Sequence, residues 1–193
     1  MKTLLTLGLA LGASVALLAA PAPACAQVAK LVPAQSEVSF SVKQMGVPVE
    51  GKFTRFDAQV QLDPKKPETG KVGFTIDIAS ATMGNDESDA ELPKAPWFNT
   101  AKFPQATFQS SAIKAVGPGK FEVAGKLSIK GNVRDVVVPV TLSQSGANSV
   151  ATGGFAIKRL EFKIGEGEWT DTSMVANDVQ VKFKLALSGM PPL

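Results

Sequence analysis

Apolar and polar residues alternate one for one through most of this chain. Between Val179 and Leu187, Val179, Val181, Phe183, Leu185 and Leu187 alternate with Gln180, Lys182, Lys184 and Ala186. That period of two belongs to a strand whose faces meet different surroundings. The same alternation sets Val38, Phe40 and Val42 on one face, ahead of a turn at Met45–Gly46–Val47–Pro48. It recurs with Phe56, Ala58, Val60 and Leu62, and again with Val72, Phe74, Ile76 and Ile78. A second group opens at Ala106–Val116, breaks at Gly117–Pro118–Gly119 and resumes with Phe121, Val123, Leu127 and Ile129. Gly131–Asn132 then turns the chain into Val133–Ser143, and a Ser-Gly-Ala-Asn-Ser turn leads into Val150–Phe162. About eight strands with short polar turns predict an all-β, antiparallel meander closed into a barrel, with a two-sheet sandwich fitting the same pattern. Runs of ten residues, at about 3.4 Å per residue and a tilt near 40°, make a wall on the order of 25 Å tall. Such a barrel suits an elongated guest.

The alternation is interrupted once, from Thr82 to Gln105, after the third strand. Asn85 or Asp86 can cap a short helix reaching Leu92, with acidic residues in its first turn, before Pro93 and Pro96 stop it. Trp97 and Phe98 follow on an irregular connection, where a lid or plug would sit.

The N-terminal end reads differently. Met1–Lys2, an apolar run from Leu4 to Leu18 and Ala24-x-Ala26 predict a secretory signal over residues 1–26, leaving 27–193 as one barrel domain. Cys25, the one cysteine, lies inside the segment expected to be removed, so the exported chain carries neither thiol nor disulfide. Acylation of Cys25 would need a Leu-rich approach that Ala22–Pro23–Ala24 does not offer.

The composition narrows the chemistry. With no histidine and no tyrosine, a usual zinc site and a Ser-His or Cys-His pair are closed off. The net charge of +3 falls to +2 once Lys2 leaves with the leader, and Lys126, Lys130 and Arg134 are spread along strand-like sequence. That pattern predicts no nucleic-acid partner. Ser111-x-x-Lys114 spells a serine acyltransferase motif but lies in a predicted strand, where an offset of three points the two side chains apart. Asp86, Glu87, Asp89 and Glu91 lack the alternate-oxygen spacing and central glycine of a calcium loop and read as a solvated helix start. Gly165–Trp169 reads as a rim loop carrying Trp169. Asp57, Asp77, Glu122 and Asp135 fall on or near the polar phase of their strands, which argues against a carboxylate enzyme.

Several stretches together resemble the YceI-like family, polyisoprenoid-binding and lipocalin-like barrels of the bacterial periplasm. They are Ser36–Gly46, Gly51–Pro64, Trp97–Ser111, Ala124–Leu142 and Arg159–Gly165. The resemblance implies a lipocalin-like barrel whose apolar pore holds one isoprenoid chain, such as a quinone or polyprenyl lipid, with no catalytic residue and no cofactor. It also implies a periplasmic location and makes a membrane cytochrome, a membrane surface and a homodimer compatible partners. A histidine common in the family near Gln44 is absent, so any head-group role it plays elsewhere does not carry over.

On the alternating phase, the residues expected to line the lumen are Phe40, Phe53, Phe74, Phe108, Phe121, Leu127, Phe155, Val181 and Phe183. Those expected at the mouth are Met45, Met83, Trp97, Phe98, Trp169 and Met174, flexible or amphipathic groups suited to a varied guest. The competing expectation is a filled barrel acting in stress response or protein interaction without a lipid, since eight-stranded barrels occur both filled and hollow.

Overall fold

The computed structural model describes residues 28–146 and 148–193. The expected signal, with Cys25, and the expected first residue Gln27 lie outside the described residues.

The strands are β1 (Val28–Leu31), β2 (Glu37–Gln44), β3 (Val47–Phe53), β4 (Phe56–Gln61), β5 (Lys71–Asp77), β6 (Ala81–Thr82), β7 (Gln105–Gly117), β8 (Lys120–Ile129), β9 (Asn132–Ser145), β10 (Asn148–Lys158) and β11 (Val175–Ser188). All pair antiparallel in the order β1-β4-β5-β7-β8-β9-β10-β11-β2-β3-β6, with β1 also paired to β11. The order looks irregular only because three long runs are broken. β1 and β2 are one run interrupted at Pro33–Gln35, β3 and β4 one run interrupted at Thr54–Arg55, and β5 and β6 one run interrupted at Ile78–Ser80. Taken so, the eleven segments form eight consecutive runs in an up-and-down meander. β11 pairs with both halves of the first run, through Leu31↔Leu187 and Val38↔Phe183, and closes the ring. The barrel expected from the alternation is therefore present, and the sandwich is not.

Each break is repaired locally, because unpaired backbone groups in a wall are costly. Pro33 has no N–H to offer the ladder and starts a tight helical turn. Beyond it the Ser36 hydroxyl donates to the Val32 carbonyl at 2.8 Å and accepts from the Ala186 amide at 2.9 Å. The other two breaks lie side by side and mend each other. Buried Ser80 accepts the Arg55 amide on its hydroxyl at 3.0 Å and the Thr54 amide on its carbonyl at 3.2 Å. The Arg55 guanidinium reaches the Asp77 carboxylate at 2.8 Å. In β7 a register shift between Ser110 and Ala112 leaves both Ser111 and Lys114 on the outer surface. The bulge thus corrects the expectation that the two would point to opposite faces.

The helical insertion forms as α1 (Asp86–Glu91). Asn85 caps it, its side-chain oxygen accepting from the Ser88 amide at 2.8 Å. Asp89 ties the helix back to the third run by accepting from the Thr82 hydroxyl and the Met83 amide, both at 2.6 Å. Beyond Asp77↔Gln105 the third and fourth runs no longer pair, and at this end α1, Trp97 and Phe98 line the interior.

Two buried clusters mark the ends of the barrel. One gathers Leu62, Ile113, Leu142, Leu187 and Met190; the other gathers Ile78, Ala106, Leu127, Phe162 and Ile164, with Trp97, Phe98 and Phe155 against it. Met190 folds under the first end, and the tail beyond it is tied by the Leu193 amide donating to the Gln144 side chain at 3.1 Å.

Candidate functional site: an apolar cavity along the barrel

Between the two clusters runs a cavity of about 450 Å³. Every inward residue of the β11 alternation lines it: Val179, Val181, Phe183, Leu185 and Leu187. So do all nine residues expected in the lumen, including Phe53 and Phe155, whose neighbours permit either face. The six expected at the mouth also border it. At one end the lining residues Leu62, Ile113, Leu142 and Met190 are buried, whereas at the other Met45 is 75% and Met174 44% exposed. The mouth therefore lies at the Met45 end, where the Met45 amide donates to the Met174 carbonyl at 2.8 Å and holds the rim together.

Aromatic side chains occupy this lumen without filling it. Phe40 sits opposite Gly51 and Phe183 opposite Gly153 across their ladders, and Phe108 lies diagonally against Gly125. A β-carbon added at Gly125 would stand 2.5 Å from the Phe108 ring, and one at Gly153 2.5 Å from the Phe183 ring. The rings lie against bare backbone of the neighbouring strand, so much of their bulk stays at the wall. Phe53 meets Phe40 at 5.3 Å and Phe98 at 6.4 Å between ring centroids, carrying the aromatic surface from wall to lid. Trp97 and Trp169 meet in a tilted contact, 5.4 Å between ring centroids, beside the mouth.

Two cations near the mouth are buried, which the sequence reading did not foresee. Arg159, 1% exposed, donates from Nε to the Ala176 carbonyl, from Nη1 to Ile164 and Gly165, and from Nη2 to Trp169 and Val175. It knits the rim loops to β11, and burial lowers its pKa from the ordinary guanidinium value. Lys130, one of the cations spread along strand-like sequence, is 8% exposed. Its ammonium donates to the Ala95 carbonyl at 2.8 Å, the Lys163 carbonyl at 2.6 Å and the Glu166 carboxylate at 2.8 Å. The hydrogen bond from Lys130 is the main cause holding the Glu166 carboxyl below its usual range. No periodic signal marks either residue: the partners of Lys130 lie 33 to 36 residues away, and those of Arg159 lie in the irregular segment that follows it and at the start of β11.

The polar groups of the lining are few: Gln44, Glu87, Ser88, Glu91, Arg159 and the indole N–H groups of Trp97 and Trp169, of which the buried Trp97 Nε1 has no hydrogen-bond partner. None of Asp57, Asp77, Glu122 or Asp135 borders the cavity. Among the described residues no cluster of histidine, cysteine or carboxylate side chains could hold a metal. The acidic helix start is only partly a solvated face, since Asp89 bonds inward and Glu87 and Glu91 edge the mouth.

A closed antiparallel barrel of eight runs around an apolar, one-mouthed cavity defines the class of protein. The YceI-like domain model matches residues 30–187, and the chain belongs to that family. Protein YceI of Escherichia coli O6:H1 is 37% identical over 106 residues, 54% of this chain and 53% of that protein, so the match spans about half the length of this curated relative. Among solved structures, Burkholderia cenocepacia BcnA superposes with a TM-score of 0.79 at 47% identity, over 81% of this chain and 98% of that one. A polyisoprenoid binding domain from Saccharophagus degradans, implicated in plant cell wall breakdown, shares the fold at a TM-score of 0.67 and 17% identity, over 83% of this chain and 98% of that one.

Proposed function

We propose that this chain is a periplasmic binding or carrier protein that sequesters an isoprenoid lipid, of quinone or polyprenyl type, in its barrel. The observation that carries this reading is the cavity of about 450 Å³, walled by alternating apolar residues, plugged at the Met190 end and open at Met45 and Met174. Its size falls within the roughly 300–1,000 Å³ of ordinary ligand sites. An apolar lumen stabilises a hydrocarbon tail by about 0.8 kcal/mol per buried methylene, so a prenyl chain is held with few polar contacts. Family membership and the polyisoprenoid-binding description of the Saccharophagus degradans domain support the same reading. The carrier takes its guest from a membrane surface or a quinone-using membrane cytochrome and needs no cofactor and no catalytic residue. A filled barrel acting as an interaction module has less support, because the lumen holds open space.

The test is native mass spectrometry of the protein isolated from the cell that makes it, followed by organic extraction of what it carries. A stoichiometric prenyl lipid is the expected result. Protein that arrives empty and also refuses added quinones and polyprenols would overturn the proposal and leave the interaction module in its place.

A further inference from the structure

The polar side chains at the mouth differ in what they can offer a head group. Glu87 and Glu91, one helical turn apart on α1, both border the cavity. Glu91 accepts from Lys94, which lies outside the lining, while among the described residues Glu87 has no ion-pair partner. Arg159 is the one cation among the lining residues. A guanidinium carries five N–H donors and no acceptor, and all of them here are engaged by the carbonyls of Ala176, Ile164, Gly165, Trp169 and Val175. The nearby buried ammonium of Lys130 is engaged in the same way and does not border the cavity. The mouth thus has acceptors and negative charge at its edge, uncharged hydrogen-bonding groups in Gln44, Ser88 and the unpartnered indole N–H of Trp97, and no free cationic donor.

Resting on the carrier reading, we infer that the mouth selects its guest by charge, admitting an isoprenoid with an uncharged head group and rejecting the same chain ended by a phosphate or carboxylate. A hydroxyl donates to Glu87 or Glu91, and a carbonyl accepts from Gln44 or Ser88. A phosphate brings about −1.5 to −2 charges to the same place. There it loses water, meets carboxylates of like sign and finds no N–H from Arg159 to replace what it lost. The guests selected are alcohols and quinones of the isoprenoid class, and the activated phosphates of the same chains are left outside.

The experiment compares matched ligands on the full exported chain, titrating geranylgeraniol and geranylgeranyl phosphate and reading the emission of Trp97 and Trp169, the two tryptophans of the sequence. The alcohol is expected to bind at least about tenfold more tightly at low salt, the scale of one or two charge contacts at a wet rim. Raising the salt should narrow the ratio, and so should the double variant Glu87→Gln, Glu91→Gln. Phosphate binding as tight as the alcohol's would overturn the selection while leaving the carrier reading intact. A tenfold preference that ignores both salt and the double variant would overturn the carboxylates as its source. Binding of neither ligand would remove the carrier reading, and the inference with it.

Discussion

Arg159 shows how much of the rim hangs on one side chain. Its planar guanidinium reaches five carbonyls in three segments, a geometry that three ammonium donors cannot copy. Arg159→Lys leaves at least two buried carbonyls without partners, at about 1–3 kcal/mol each. Chemical denaturation should therefore show a loss of roughly 3 kcal/mol, and an unchanged midpoint would refute the knot. The second buried cation gives a prediction in pH. Glu166 has its carboxyl held below the ordinary value of 4.5, first of all by the hydrogen bond from Lys130. A group depressed in the folded state contributes stability that is complete above its unfolded value and is lost as pH falls through its folded value. The pair should thus weaken below about pH 4.5, and Glu166→Gln should flatten this part of the acid melting profile. A profile identical in the two proteins would mean that Lys130 rests on its carbonyl partners alone.

At the scale of the strands, the wall is built so that large rings leave room. Phe40, Phe108 and Phe183 each lie over a glycine of an adjacent strand; a methyl at Gly51 would meet the Phe40 ring alone, whereas at Gly125 and Gly153 it would also meet the Gln109 and Pro139 carbonyls. Gly51→Ala, whose added methyl meets the Phe40 ring and no backbone, should push Phe40 toward the axis, shrink the cavity and weaken binding of an added polyprenol several-fold while the barrel still folds. Isothermal titration beside circular dichroism reads both, and full affinity in a folded variant would show that the ring has another place to go. These pairs also mark the limit of what the sequence discloses. Alternation reads the inward phase of strand residues such as Phe40 and Phe183, which border the cavity, because a wall strand shows one face to the lumen, and a period of two is visible without knowing the partner strand. It cannot show that Gly51 stands opposite Phe40 or Gly153 opposite Phe183, since register belongs to the pair. The breaks at Pro33–Gln35, Thr54–Arg55 and Ile78–Ser80 are faint for the same reason: Ser36 and Ser80 look like ordinary polar positions until Ala186 and Arg55 arrive beside them. Lys130 and Arg159 each follow directly on a strand end, where a cation is commonly solvated; a loop folded over from elsewhere engages Lys130, and the irregular segment after Arg159 curls back onto its guanidinium.

For the whole molecule, closure at one end makes guest binding and stability a single quantity. The first and last runs meet through Leu31↔Leu187, Met190 lies beneath them, and the apolar lining continues from there to the rim. A guest seated along this path touches every run, binds the folded chain and not the unfolded one, and raises the melting temperature by mass action. At a free concentration a hundred times its dissociation constant the gain is about 2.7 kcal/mol. For a domain of this size that corresponds to a shift of roughly 5–10 °C. Phe183→Asp sets a carboxylate in the middle of the wall and should abolish the shift, although the buried charge also lowers the melting point of the empty protein. Met45→Asp separates the two effects, because Met45 is 75% exposed at the rim and its replacement leaves the wall intact. With Met45→Asp the empty protein should melt as the parent does, and the shift with added polyprenol should survive at reduced size. An equal shift in all three proteins would mean that the lipid stabilises the outer surface and that the lumen is not where it binds.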